Sequence, residues 1–298
     1  MLSKLYHFEK NLVVDQMHKE AVLSALIEYL KREGRNAHVD SFLCKGTLGI
    51  VAAITVDGKK MIAKSHLDGE RYQCNLKKEY SVLSKLYKET LNISIINLAV
   101  LDKEYSIVLM DMLEPVTERL SLVTIQTLTN QYKTQFSKIS KELFKKDYSI
   151  NELMNWGNRA LAVLAENKLI SKNIADCIQQ VFSQNSELLL KEPMIFCHGD
   201  LSNKNIMRKD NQYVVLDWED AFLGVDGYDE IYWLTFLDQA DYLKKSHLVR
   251  HGLYTIRTQY LLLLIVLLKS YISFRNQSYL MNHISFEIRL RKVLELFV

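Results

Sequence analysis

The chain is predicted to be an α+β protein in two parts, a small N-terminal part built on an antiparallel sheet and a larger, mostly helical C-terminal part. Residues 39–66, "VDSFLCKGTLGIVAAITVDGKKMIAKSH", are rich in Val, Ile and Thr and enclose the hairpin dipeptide Asp57-Gly58. Beyond Pro115 the apolar residues recur instead at intervals of three and four, the period of a helix. At 298 residues, 48% of them hydrophobic, the chain has enough apolar material for a core in each part.

The elements follow in order. "EAVLSALIEYL" (20–30) places Leu23, Leu26, Ile27 and Leu30 on one helical face, and Gly34 supplies a stop. Strands are expected near 39–45, 50–56 and 60–65, then a helix around 73–88 with Leu76, Tyr80, Leu83 and Leu86 facing inward. Two further strands, about 95–101 and 105–111, complete an N-terminal part of residues 1–113. The C-terminal part, 114–298, opens with helices at roughly 121–145, 150–167 and 170–189, ended by Pro193. "MIFC" (194–197) reads as a short strand, and "NIMRKDNQYVVLDW" (205–218) as a second hairpin turning at Asp210-Asn211. From Tyr228 onward the pattern is helical, with Asp229 placed to N-cap "EIYWLTFL".

Several function classes are set aside by composition. The net charge is only +3, and no block of Lys and Arg forms a nucleic-acid footprint. Lys145-Lys146 and Arg289/Arg291/Lys292 read as solvated helix faces. The four cysteines, Cys44, Cys74, Cys177 and Cys197, show no metal-ligand spacing, so a reduced, cytoplasmic protein is expected. The first residues, "MLSKLYHFEKNLVV", lack the pattern of a secretory leader. "YLLLLIVLL" (260–268) is half the length of a membrane span, so a buried helix without membrane insertion is expected there.

The chemistry concentrates in "HGDLSNKN" (198–205) and "LDWED" (216–220). A hairpin brings its ends together, so Asp200, Asn205 and Asp217 are expected to converge. Two carboxylates and an amide oxygen make a hard-oxygen site suited to Mg²⁺, which completes its shell with water and substrate phosphates. Phosphoryl transfer is the chemistry that follows. A buried-looking flank, "VVLDW", means that the Asp217 carboxylate needs a partner.

These two motifs resemble the catalytic loop and metal-binding strand of the aminoglycoside phosphotransferase and choline kinase superfamily, small-molecule relatives of the protein kinases. The spacing Asp-Leu-x-x-x-Asn also matches the protein-kinase catalytic loop. The resemblance spans about residues 42–235 and implies a bilobal protein-kinase-like fold with ATP and Mg²⁺ as cofactors. By that resemblance Asp200 accepts or orients the proton of the acceptor hydroxyl, and Asn205 and Asp217 hold the metal. Glu219 is either a further metal ligand or an ordinary acid, and His198 braces the catalytic loop through hydrogen bonds rather than moving protons. Nucleotide-binding parts follow in the expected order. "MIAK" puts Lys64 on the third strand and "LKKEY" puts Glu79 on the next helix. "KGTLG" puts Gly46 and Gly49 in a phosphate-covering turn, and "LMDML" puts Asp111 and Met112 in a hinge whose backbone meets adenine.

The expected partner is a small-molecule hydroxyl substrate. The motif reads His-Gly-Asp, no Ala-Pro-Glu follows, and "DWEDAFLGVDGYDEIYWL" leaves little chain for a peptide-docking platform, so a protein acceptor fits less well. An aminoglycoside calls for an acidic pocket, for which Asp226, Glu230, Asp238 and Asp241 are candidates. A choline-like or ethanolamine-like cation calls for aromatic faces, with Trp218, Phe222, Tyr228, Tyr232, Trp233 and Phe236 as candidates. A sugar or a lipid-linked alcohol stays open. The alternative from another class is a kinase-fold nucleotide-binding or regulatory protein with little catalysis.

Overall fold

Asp57 and Gly58 take φ of 51° and 77°, the pair of positive values that a two-residue hairpin needs, and they join two of five strands in one antiparallel sheet. The structure, a computed structural model, describes residues 16–43, 49–66, 70–136, 149–236, 239, 243–278 and 284–298. It falls into two units. One takes in the described residues of 16–117 together with Lys204–Glu219, and the other takes in Glu118–Asn203 and Asp220–Val298.

The first unit holds β1 (Ala37–Phe42), β2 (Gly49–Val56), β3 (Lys59–His66), β4 (Ile93–Val100) and β5 (Lys103–Asp111) in the order β1-β2-β3-β5-β4. Helix α1 (Gln16–Arg32) lays Val22, Leu23, Leu26 and Leu30 on this sheet against Ile50, Ile54, Met61 and Leu109. Each fully buried Leu of that kind contributes about 2 kcal/mol. Helix α2 (Glu70–Leu86) buries Leu76, Val82 and Leu83. The same face of α2 buries Glu79, an acid that no core needs for packing. The predicted second hairpin is present as β8 (Ile206–Lys209) and β9 (Gln212–Val215), with Asp210 at φ 53°. It joins β6 (Glu114–Pro115), whose two residues are too few to show a period in the sequence.

The second unit is helical, with α3 (Leu122–Phe136), α4 (Ile150–Glu166), α5 (Lys172–Lys191), α6 (Tyr228–Leu234), α7 (Lys245–Arg250), α8 (Ile256–Arg275) and α9 (Phe286–Glu295). The predicted extension of α3 to 145 lies outside the described residues, as do Lys145-Lys146 and Cys44. Helix α8 is long and apolar enough to cross a membrane, yet 72% of its most apolar window is buried inside the fold. It packs against α4, α5, α6 and α9, and that explains why nearly every side of it is apolar. β7 (Ile195–Cys197) pairs antiparallel with β10 (Phe222–Gly224), again a strand too short to have been legible.

Candidate active site

The register of β3 sets Lys64 opposite Val51 on β2 and Val108 on β5, in mid-sheet. Strand alternation sends Lys64 and His66 to one face. The Lys64 ammonium lies 2.7 Å from Glu79 Oε2, 2.9 Å from Asp217 Oδ1 and 2.6 Å from Glu219 Oε1. His66 Nε2 lies 2.9 Å from the same Glu219 oxygen. Glu79 uses its second oxygen to accept the Asp217 backbone N–H at 3.0 Å. Oxygens of the three carboxylates fall within 4.8 Å of one another.

Local structure holds this arrangement in place. Just after α2, the Tyr87 hydroxyl accepts the Val215 N–H at 2.9 Å and ties the end of β9 to α2, the helix that carries Glu79. The Asn205 carbonyl accepts the Leu216 N–H at 2.8 Å, which brings Asn205 to the residue beside Asp217 across the hairpin mouth. Asp217 itself sits at φ 66°, a left-handed conformation that costs a non-glycine residue about 1 kcal/mol or more. The chain accepts that strain at the residue whose carboxylate meets Lys64.

Electrostatics follow from one lysine facing three acids. Burial works to lower the Lys64 pKa, but Asp217, Glu219 and Glu79 together raise it well above its ordinary value, so it is a permanent cation. Burial pushes Glu79 up to about 7, against the pull of Lys64. Burial also works to raise Glu219, yet Lys64 and His66 prevail and hold it well below the usual range. The set is oxygen-rich, open to solvent at Asp217 and short of positive charge, which suits a divalent cation with oxygen ligands.

The second unit carries the other half of the motif. His198 is fully buried, and its Nδ1 accepts the Asp200 N–H at 3.2 Å. The Asp229 carboxylate accepts the N–H of His198 at 2.8 Å and of Gly199 at 3.1 Å, and Tyr132 donates its hydroxyl to it at 2.5 Å. Asp229 was expected to N-cap a helix. Instead Gly227 occupies the cap position, and Asp229 lies inside α6, buried, fixing the loop that presents Asp200. Gly199 sits at φ 83°, and a Cβ there would come within 2.1 Å of the Asp220 carbonyl, so no side chain fits between His198 and Asp200. Tyr232, read from the sequence as a candidate ligand-facing aromatic, donates its hydroxyl to Asp200 Oδ1.

The remaining sequence candidates divide. Gly46 lies outside the described residues. Gly49 opens β2, and a Cβ there would meet the Ser65 carbonyl at 2.4 Å, so close strand approach already explains it. The Asp111 carboxylate is held by Lys209 and, at 2.6 Å, by Lys59. Of the backbone groups expected to meet adenine, the Asp111 N–H goes instead to the Asn92 carbonyl at 3.0 Å and the Met112 N–H to the Lys60 carbonyl at 3.4 Å. Of the candidate acids, Glu230 and Asp226 each lie 2.9 Å from Lys133, and Asp238 and Asp241 lie outside the described residues. Trp218, Phe222, Tyr228 and Trp233 are fully buried packing residues. His66 goes unremarked in the sequence reading, and Asp229 enters it only as a helix cap. His66 was legible in principle, two residues beyond Lys64 on one strand. Asp229 gave no cue beyond its local helix start.

Residues 142–241 match the family model described as the phosphotransferase enzyme family. None of the curated proteins matches the chain. Among solved structures, an aminoglycoside phosphotransferase APH(4)-Ia in complex with ADP and hygromycin B is 11% identical, with a TM-score of 0.63 over 93% of this chain and 98% of that one. Choline kinase LicA from Streptococcus pneumoniae is 12% identical, with a TM-score of 0.54 over 92% of this chain and 98% of that one. Spectinomycin phosphotransferase APH(9)-Ia, in complex with ADP and spectinomycin, is 15% identical, with a TM-score of 0.50 over 92% and 93%. The chain therefore has the kinase-like fold of the aminoglycoside phosphotransferase and choline kinase superfamily, with the phosphotransferase family's sequence pattern across the stretch that holds His198, Asp200, Asn205, Asp217 and Glu219.

Proposed function

We propose that the protein is an ATP-dependent O-phosphotransferase that moves the γ-phosphoryl group of ATP onto a hydroxyl of a small molecule. The observation that carries this reading is the Lys64 ammonium held between Glu79, Asp217 and Glu219. A fixed cation beside a surplus of carboxylate oxygen is what a nucleotide triphosphate and its metal ion require. In this reading Lys64, oriented by Glu79, neutralises phosphate oxygens, while Asp217, Asn205 and Glu219 are the residues that would hold Mg²⁺. When bound, that ion supplies charge neutralisation on the phosphates. Asp200 takes the proton of the acceptor hydroxyl as its oxygen bonds the γ-phosphorus. The bond from that phosphorus to the bridging oxygen breaks, and ADP leaves with the electron pair. Tyr232 and the His198–Asp229 brace keep the Asp200 carboxylate oriented.

A small acceptor is favoured over a peptide because the chain runs from Asp217 through the short β10 into α6 at Tyr228, leaving no segment long enough to dock a polypeptide. The test is a screen of ATP consumption against aminoglycosides, macrolides, choline, ethanolamine, homoserine, sugars and phosphorylated alcohols. With the acceptor so found, Asp200→Ala lowers kcat by about 10²- to 10⁴-fold while AMP-PNP binding survives. Near-normal turnover in that variant removes Asp200 from its role. Nucleotide binding with no transfer to any acceptor favours a regulatory kinase-fold protein instead.

A further inference from the structure

The helical unit contains a cavity of about 500 Å³ walled by α7, α8, α9 and the residues that follow α6. Lys244, Lys245, Lys269, Arg289 and Lys292 line it, against one acid, Glu295. Its apolar part is formed by Phe236, Val266, Val293 and Leu296. Arginines and lysines on helices usually spread into water, as expected above of Arg289 and Lys292. The structure differs at Arg289, whose Nε is buried and has no hydrogen-bond partner among the described residues. Burial lowers its pKa, as expected of a guanidinium partly withdrawn from water. Five cations against one acid leave the cavity wall short of negative charge, and an anion supplies it best.

Lys269 gives the second half of the argument. Its ammonium donates to Thr235 Oγ1 at 2.7 Å and lies 3.9 Å over the Tyr232 ring and 3.5 Å over the Phe236 ring. The aromatic faces that a quaternary ammonium acceptor would need are thus already covered by a cation of the protein. Tyr232 is also the residue whose hydroxyl bonds Asp200, so the wall of the cavity stands one aromatic ring from the proposed base. The acids that would welcome an aminoglycoside, Asp226 and Glu230, are tied to Lys133 and are not part of this wall.

We propose that this cavity seats the acceptor of the phosphoryl transfer, and that the acceptor is an anionic amphiphile. It would be a hydroxyl-bearing molecule whose phosphate, sulfate or carboxylate group meets Arg289, Lys269 and Lys292 and whose apolar part lies on Phe236, Val266 and Val293. The acceptor role rests on the phosphotransferase reading, whereas the preference for negative charge does not.

Titration calorimetry with octyl phosphate, octanol and octyltrimethylammonium separates charge from apolar character at constant chain length. Octyl phosphate binds, and the other two bind at least about tenfold more weakly, the value of one charge-assisted hydrogen bond. Arg289→Gln and Lys269→Gln each weaken octyl phosphate at least about tenfold. Melting curves check that both variants fold, and Lys191→Gln, remote in the chain on α5, leaves the affinity unchanged. In turnover assays octyl phosphate competes with the acceptor and not with ATP. Equal or tighter binding of octyltrimethylammonium overturns the proposal, as does octyl phosphate binding that ignores both substitutions. Turnover on a cationic acceptor that octyl phosphate fails to inhibit also overturns it, while leaving the phosphotransferase reading intact. Octyl phosphate binding as expected, with no transfer to any hydroxyl, overturns the acceptor role through the failure of that reading and leaves the anion preference standing.

Discussion

Lys64 in the sheet-bearing unit and Lys133 in the helical unit are each surrounded by acids, and their surroundings differ in one respect. Lys64 faces Glu79, Asp217 and Glu219, with His66 alongside Glu219. Lys133 faces Glu230 and Asp226, and Thr129 donates a hydroxyl to the Glu230 oxygen it shares with Lys133. Burial works to raise the Asp226 pKa, yet Lys133 and, more weakly, Arg257 hold it down; Arg257 is itself paired with Glu192 at 3.3 Å, so two cations face three acids there. The Lys133 cluster is closer to balance and pins α3 to α6. The Lys64 cluster has carboxylate to spare, and one of its members, Asp217, is strained at φ 66° with a side chain 43% exposed. Balanced charge marks a brace, and unbalanced, partly open charge marks a place for a further cation.

Substitutions can break or sharpen that contrast. Lys64→Met has the largest effect, lowering turnover by about 10²- to 10³-fold with the fold retained. Lys133→Met instead acts on stability, by about 2–3 kcal/mol after allowing for its partial exposure, and leaves kcat near normal. Urea denaturation paired with turnover measurements separates the two, and the contrast fails if Lys133→Met abolishes turnover in a folded protein. Asp229→Ala strips two buried N–H groups of their acceptor and destabilises by about 2–4 kcal/mol.

A pH effect is expected from Glu79. Burial raises it from 4.5 to about 7, so the fold prefers its protonated form. Its contribution is full below pH 4.5 and is lost as pH rises toward 7, a decline of roughly 1–3 kcal/mol. Glu219, held low, acts in the opposite sense, stabilising above its ordinary value and losing that effect as pH falls. Denaturation midpoints between pH 4.5 and 7 for wild type and Glu79→Gln test this, since the substitution flattens the slope. The smallest effect belongs to Lys191→Ala on the exposed pair with Glu187, where stability changes by less than about 0.5 kcal/mol.

Lys64, Glu79 and Asp217 were legible because short motifs carry them in fixed order, on or just after an element with a readable period, whereas Glu219 stayed open between metal ligand and ordinary acid. The same logic recovered the five-stranded sheet and the Asp210 hairpin. β6 and β10 escaped because strands of two and three residues have no period. Asp229 was misread because an acid at a helix start has a cheap local explanation, and its partners His198 and Gly199 lie about thirty residues earlier in the chain. Lys269 drew no notice at the end of the apolar run of α8, since only packing places its ammonium over two rings contributed by and beside α6. Apart from those two short strands, what the sequence leaves unread is tertiary: a long-range acceptor, a buried donor, a cation lent by another helix.

The most direct measurement of the central claim is calorimetric titration of AMP-PNP with and without Mg²⁺ into the wild type and Asp217→Asn. The account requires wild-type affinity at least about tenfold higher with magnesium, and requires Asp217→Asn to erase that difference. Tight binding that is indifferent to both magnesium and the Asp217 carboxylate would contradict it.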